Sequence, residues 1–253
     1  MQTNRFKAAL KEMRRQDGLW CTMSDPLAAE MMAALGFDWM LFDTEHSPMD
    51  AISALPLLQA AAPYPVEPIL RPTHLNAPEI KKLLDLGART LLIPMVEDAE
   101  MAAHAVACMT YPPAGIRGVS GMTRATGFGT VAGYHRNASE ELCLLVQVES
   151  AAALAQIEAI AAVPGVDGIF VGPADLAASL GHPGEPGHPE VRVAVADAIR
   201  RIRAAGLPPG ILAMDPALHA AALEAGAVFV SGDLDIIALR KGLLAGPGLA
   251  AKG

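Results

Sequence analysis

Asp167-Gly168-Ile169-Phe170-Val171-Gly172-Pro173-Ala174-Asp175-Leu176-Ala177-Ala178-Ser179-Leu180 contains one complete strand-to-helix unit. The run Gly168–Gly172 shows no alternation of polar and apolar residues, which predicts a strand covered on both faces, as in a parallel sheet. Gly172-Pro173-Ala174-Asp175 is then a tight turn into an Ala- and Leu-rich helical stretch. An acidic residue, Asp175, is left beside the end of the strand.

The same grammar recurs on both sides of this unit. Further strand runs are read at Leu19–Met23, Trp39–Asp43, Glu67–Arg71, Thr90–Pro94, Leu144–Glu149, Gly210–Ala213 and Val228–Ser231. Between them lie helical stretches such as Pro26–Leu35, Ala77–Leu86, Ala99–Met109, Ala151–Ala162, Val191–Ala205 and Ala217–Ala225, mostly closed by glycine or proline. Strands that alternate with helices predict a parallel sheet with crossover connections. No G-x-G-x-x-G opens the first unit, so an open doubly wound sheet is disfavoured. Even spacing points to closure into a (β/α)₈ TIM barrel, with residues 1–253 as a single domain. One long glycine-rich insertion, Thr110–Glu140, is expected to cover a site or to contact a neighbouring subunit.

Composition excludes several classes of function. Nineteen Lys and Arg against 27 Asp and Glu give a formal charge of −8, which argues against a nucleic-acid footprint. The N-terminal stretch Met1–Asp17 is studded with Arg and Lys and is no secretory signal. No stretch reaches the roughly 20 uninterrupted apolar residues of a membrane span. Cys21, Cys108 and Cys143 stand far apart with no C-x-x-C spacing, so neither a disulfide framework nor a zinc knuckle is predicted. A soluble protein of the cytoplasm is expected.

In a barrel of this kind the chemistry sits at the C-terminal ends of the strands. Glu149 and Asp175 end neighbouring strands, where two oxygen ligands would suit a hard cation such as magnesium or manganese. The alternative for each alone is a helix cap. Arg71 follows three apolar strand residues, a place for a guanidinium that meets an oxyanion or pairs with Asp43 or Glu45. His46 reads as a loop histidine, or as an acid/base group whose ring is oriented by Asp43. The segment Gly181–Pro189 holds His182, Glu185 and His188, and its prolines and glycines read as an irregular surface loop rather than a metal site.

Taken together in this order, Gly36-Phe37-Asp38-Trp39, Asp43-Thr44-Glu45-His46, Arg71-Pro72, Tyr111-Pro112-Pro113-Ala114-Gly115-Ile116-Arg117-Gly118, Gln147-Val148-Glu149 and Gly172-Pro173-Ala174-Asp175-Leu176 make a set that spans nearly the whole chain. In these motifs the sequence resembles the class II pyruvate aldolases of the HpcH/HpaI type, typified by 4-hydroxy-2-oxoheptanedioate aldolase. The resemblance implies a barrel with a swapped C-terminal helix, assembled as a homo-hexamer. It implies Mg²⁺, Mn²⁺ or Co²⁺ held by Glu149 and Asp175, with no organic cofactor. It further implies Arg71 on the keto oxygen of pyruvate, and His46, oriented by Asp43, as the acid/base. Gln147 would lie beside the pyruvyl group, Gly172, Pro173 and Ala174 around the substrate, and Leu212 and Trp20 along its apolar wall. The reaction implied is reversible aldol cleavage of a 4-hydroxy-2-oxo acid to pyruvate and an aldehyde, with a place in aromatic-compound catabolism.

The residues agree with that chemistry, since cleavage leaves negative charge on the pyruvyl oxygen where a cation and an arginine stabilise it. A Schiff-base aldolase would need an amine at a strand end, whereas Lys7, Lys11, Lys81, Lys82, Lys241 and Lys252 fall in helical or terminal stretches. Oxaloacetate decarboxylation or cleavage of a 2-dehydro-3-deoxy sugar acid would use the same site. A non-catalytic metabolite-binding barrel is the reading from another class.

Overall fold

The computed structural model describes residues 3–246 of the chain; Lys252 and the rest of the C-terminal tail lie outside the described residues. Eight parallel strands close on themselves in chain order, each paired with the next and β8 paired with β1. They are β1 (Gln16–Cys21), β2 (Trp39–Asp43), β3 (Glu67–Arg71), β4 (Thr90–Ile93), β5 (Cys143–Val148), β6 (Gly168–Val171), β7 (Pro209–Leu212) and β8 (Phe229–Leu234). The contact of Gln16 with Phe229 across β1 and β8 rules out the open sheet and makes the fold a (β/α)₈ barrel.

The helices are α1 (Arg5–Lys11), α2 (Pro26–Ala33), α3 (Ala51–Ala61), α4 (Ala77–Asp85), α5 (Ala99–Met109), α6 (Tyr134–Glu141), α7 (Ala151–Leu154), α8 (Ile157–Ala161), α9 (Pro173–Ser179), α10 (Pro189–Ala204), α11 (Pro216–Ala225) and α12 (Asp235–Ala245). Their starts are chemically marked. Asp25, Asn76, Asp98 and Asp215 each accept a hydrogen bond from a backbone N–H three residues on, satisfying a donor that the helix itself leaves open.

Two hydrophobic shells result. The outer one lies between strands and helices, and the inner one fills the barrel with Trp39, Leu41, Ile69, Leu92, Leu145, Phe170 and Phe229. The aromatic rings leave no room beside them: a Cβ on Gly210 would sit 2.1 Å from the ring of Phe229. Glycine is therefore needed there for close approach.

Within the N-terminal stretch Met1–Asp17, residues Arg5–Lys11 form α1. Phe6, Ala9 and Leu10 recur at helical spacing and are buried. Phe6 plugs the N-terminal end of the barrel, 5.8 Å from Phe229 and 6.4 Å from Trp39 between ring centroids. Lys7 is spent there too, donating to Leu142 O and pairing with Asp167, and so is no amine for catalysis.

The long insertion after α5 lies at this same N-terminal end. Arg117 pairs with Asp85 at the end of α4, the Ala125 N–H donates to Asp85 O, and Arg124 donates to Leu86 O. None of its residues lines the cavity at the strand C-termini, whereas Arg124, Ala125, Gly127, Val131 and Tyr134 line a cavity at the N-terminal end.

Candidate active site

A cavity of about 260 Å³ opens at the C-terminal mouth of the barrel, lined by Trp20, Asp43, His46, Arg71, Gln147, Gly172, Pro173, Ala174, Asp175 and Leu212. The strand ends thus bring together every expected site residue except Glu149, which lies just behind Gln147 and Gly172. A larger cavity of about 730 Å³ lies at the opposite end, among Phe6, Gln16, Glu67 and Arg89. The smaller one is where strand-end polar groups converge, and in a barrel that position outweighs size.

Arg71 is buried and held from three sides. Its Nε and Nη2 donate to the two carboxylate oxygens of Asp43 at 2.9 and 2.6 Å. Its guanidinium lies over the Trp20 ring, 4.7 Å from the centroid, and Nη1 lies 2.8 Å from Glu45 Oε2. That last contact is out of line for a hydrogen bond, so Oε2 is buried without a hydrogen-bond partner among the described residues. Burial pushes the Asp43 carboxyl up, but its hydrogen bonds and charge attraction to Arg71 outweigh this and hold it below the usual range. Glu45 is pushed up by burial despite the attraction of Arg71.

The Asp43–His46 relation differs from the expected ring contact. Asp43 Oδ1 accepts the backbone N–H groups of Glu45 and His46, at 3.0 and 3.3 Å. Its other oxygen accepts from Trp20 Nε1. All the carboxylate's bonds therefore go to Arg71, Trp20 and the backbone, and Asp43 shapes the loop rather than orienting the imidazole. The ring of His46 is 66 % exposed at the mouth, with Nε2 3.9 Å from Glu45 Oε1.

Glu149 is buried at the end of β5. It accepts the Met95 N–H at Oε1 (2.8 Å) and Gln147 Nε2 at Oε2. Met95 adopts a left-handed backbone, φ 53°, that turns this N–H onto the carboxylate. Burial, with Asp175 and Glu45 nearby, pushes the Glu149 carboxyl up to about 7 against those two hydrogen bonds. A Cβ on Gly172 would lie 2.5 Å from Glu149 Oε2, so the turn after β6 needs glycine to let the carboxylate pass.

Neither carboxylate is a helix cap. Ser150 caps α7 and Gly172 stands at the start of α9 without a side-chain bond. Asp175 is exposed in the first turn of α9, and no hydrogen bond or ion pair among the described residues engages it. A free carboxylate, Asp175, that raises the proton affinity of the desolvated Glu149, with Gln147 Oε1 buried and without a partner among the described residues, forms with it a set that suits a hard divalent cation. No cationic side chain neutralises Glu149, so the residues fit such an ion.

Sequence reasoning offered Asp43 and Glu45 as alternative partners of Arg71, where the structure has both at once, and it missed Met95 as a donor to Glu149. Met95 acts through its backbone and has no signal in the sequence. Reading Gly181–Pro189 as an unorganised loop also needs correction. Its path is irregular, yet the rings of His182 and His188 stack with centroids 3.6 Å apart, and His182 Nε2 meets Glu190, not Glu185, at 2.9 Å.

A closed parallel barrel with acidic oxygens, a fixed guanidinium and an exposed imidazole at its C-terminal mouth has the make-up of an enzyme that handles a small anionic carbonyl compound. The chain belongs to the HpcH/HpaI aldolase/citrate lyase family, whose model matches residues 16–241. It is 55 % identical over 242 residues to a hydroxypyruvate/pyruvate aldolase of Sagittula stellata, covering 96 % of each chain. It is 48 % identical over 240 residues to a 4-hydroxy-2-oxo-heptane-1,7-dioate aldolase of Salmonella heidelberg, covering 94 % of this chain and 91 % of that one. The crystal structure of a family protein from Burkholderia cenocepacia J2315 superposes with a TM-score of 0.91 at 40 % identity, over 96 % of this chain and 98 % of the other. The chain is accordingly a carbon–carbon lyase.

Proposed function

We propose that this protein catalyses reversible aldol cleavage of a 4-hydroxy-2-oxo acid to pyruvate and an aldehyde, with a divalent cation held by Glu149 and Asp175. The observation that carries this reading is the meeting of Asp175 and Arg71 in one mouth cavity, with Glu149 directly behind Gln147 and Gly172 of its lining. When bound, a Mg²⁺, Mn²⁺ or Co²⁺ ion would supply Lewis-acid polarisation of the 2-oxo group.

The chain's own residues do the rest. Arg71, unable to turn because Asp43 grips two of its nitrogens, presents Nη1 to the cavity and stabilises charge that develops on the keto oxygen. Gln147, anchored on Glu149, directs its unpartnered Oε1 toward the pyruvyl side. His46, exposed at the rim, takes the proton from the 4-hydroxyl in cleavage and returns it in synthesis. Gly172, Pro173 and Ala174 form the floor beneath the substrate carboxylate, and Leu212 and Trp20 make the apolar wall along which the aldehyde leaves.

A second copy of the chain is proposed to pack on α12, making a homo-oligomer, a hexamer by family resemblance. Asp235 at its start is buried and accepts Thr22 and Met23 N–H groups, while the rest of the helix leaves apolar side chains uncovered. This supports an exchanged C-terminal helix. Three free, buried cysteines fit a reducing compartment such as the cytoplasm. No helix among the described residues is long and apolar enough to cross a membrane.

Pyruvate release from a 4-hydroxy-2-oxo acid, followed by a coupled lactate dehydrogenase assay, tests the reading. Activity lost on chelation, restored by Mg²⁺ or Mn²⁺, and reduced at least about 100-fold in Arg71→Ala is expected. Full activity in the metal-free protein or in Arg71→Ala overturns it.

A further inference from the structure

We propose that His182, His188 and Glu190 form a second metal site, for a borderline transition ion such as Zn²⁺ or Ni²⁺, distinct from the Glu149–Asp175 pair.

One potential ligand atom from each residue lies within 4.8 Å of the other two. His182 Nε2 already faces Glu190 Oε2 at 2.9 Å. His188 Nδ1 accepts the Glu190 N–H at 3.3 Å, so this nitrogen carries a lone pair rather than a proton. The two rings are stacked with an interplanar angle of 18°. A simple ion pair of His182 with Glu190 accounts for one imidazole only. The cap of α10 by His188 places the second ring, but does not require it to lie flat against the first.

The backbone sets this geometry in advance. His182 N–H donates to Ala177 O at the end of α9, Glu185 N–H to His182 O, and His188 N–H to Glu185 O, so two successive turns bring the imidazoles back over each other. Pro183, Pro186 and Pro189 stiffen the connection. Two imidazoles and one carboxylate, with solvent to fill the remaining positions, are a donor set for Zn²⁺ or Ni²⁺, whereas Mg²⁺ prefers oxygen alone. The site lies on the rim of the catalytic cavity, because Pro186 of the same loop lines that cavity. A bound ion would tie the loop to the start of α10 and hold Pro186 in place.

Equilibrium dialysis of the Mg²⁺-saturated protein against Ni²⁺ tests this, since excess Mg²⁺ competes at the carboxylate pair and not at imidazoles. One Ni²⁺ per chain is expected for the wild type and for Glu149→Gln. His182→Ala, Glu190→Gln and His188→Asn, which retains a side chain able to cap α10, should each weaken that uptake at least about tenfold. Wild type that binds no Ni²⁺ in excess Mg²⁺ overturns the proposal, as do three histidine and glutamate variants that bind it as the wild type does.

Discussion

Asp43 and Arg71 are register partners across β2 and β3, and the carboxylate grips the guanidinium through two hydrogen bonds of 2.9 and 2.6 Å. Both side chains are nearly inaccessible. Removing one partner of such a pair costs up to about 3–5 kcal/mol, with Glu45 at 2.8 Å left to offset part of the remaining charge. Asp43→Asn is therefore expected to lower stability by up to that amount and, by freeing Arg71 to rotate, to reduce kcat/KM at least about 100-fold. A double-mutant cycle separates this from loss of an imidazole-orienting carboxylate: the losses from Asp43→Asn and His46→Ala should multiply. An Asp43→Asn change that costs nothing further in His46→Ala would mean that Asp43 acts through the histidine ring.

Glu149 supplies the pH dependence. Its carboxyl is pushed from 4.5 up to about 7 in the folded metal-free protein. Below pH 4.5 both folded and unfolded forms are protonated. Between pH 4.5 and 7 the unfolded chain has lost the proton and the folded one has not, so metal-free stability falls through that window and levels off above it. A cation binds the deprotonated form, so binding below pH 7 should release a proton, and affinity should weaken by up to about tenfold per pH unit on acidification. Titration calorimetry in buffers of different ionisation enthalpy measures the released proton directly. Heats independent of the buffer at pH 6 would contradict the assignment of Glu149 as a ligand.

The legible and illegible parts of this molecule differ by how far their causes lie along the chain. The central strands were legible because β2, β3 and β6 are apolar runs whose burial on both faces leaves no alternation. Even α1 carried a local signal, Phe6, Ala9 and Leu10 on one helical face, hidden among Arg and Lys. Asp43 was ambiguous because its choice between His46 and Arg71 depends on the register of β2 against β3, which neither strand shows alone. The Met95 N–H on Glu149 depends on one backbone angle, and the His182–His188 stack on a pair of turns. None of these has a compositional signature.

Gly172 offers a local test of the cation site. Its φ of −91° is open to any residue, so alanine brings no backbone strain. The added Cβ would meet Glu149 Oε2 at 2.5 Å and Gln147 Nε2 at 2.8 Å. Gly172→Ala is expected to displace the carboxylate, weaken Mn²⁺ binding at least about tenfold and reduce activity in parallel, with a melting temperature close to that of the wild type. Electron paramagnetic resonance of free Mn²⁺ measures the affinity. Unchanged Mn²⁺ binding would place the cation elsewhere.

The C-terminal helix supplies the last prediction. In α12, Ile236, Leu239, Leu243 and Leu244 are 52, 50, 58 and 58 % exposed. Beyond the Asp235 anchor its main contacts are with β1 and β8, including the pair of Lys241 with Asp233, and they leave this row of side chains at least half exposed. On α2, Leu27 and Met31 are exposed by 74 and 56 %. Apolar side chains in such number on one monomer call for cover, and a second copy presenting the same helix supplies it with closed symmetry. The wild type should sediment as a multiple of the 26.3 kDa chain, six copies for a hexamer. Leu239→Asp with Leu243→Asp places two charges where apolar surface would be buried, and should shift the protein to smaller species at micromolar concentration. The far-UV spectrum should be unchanged, since neither residue is part of the barrel core. A monomeric wild type, or a variant that sediments with it, would show that α12 packs on something other than its own copy.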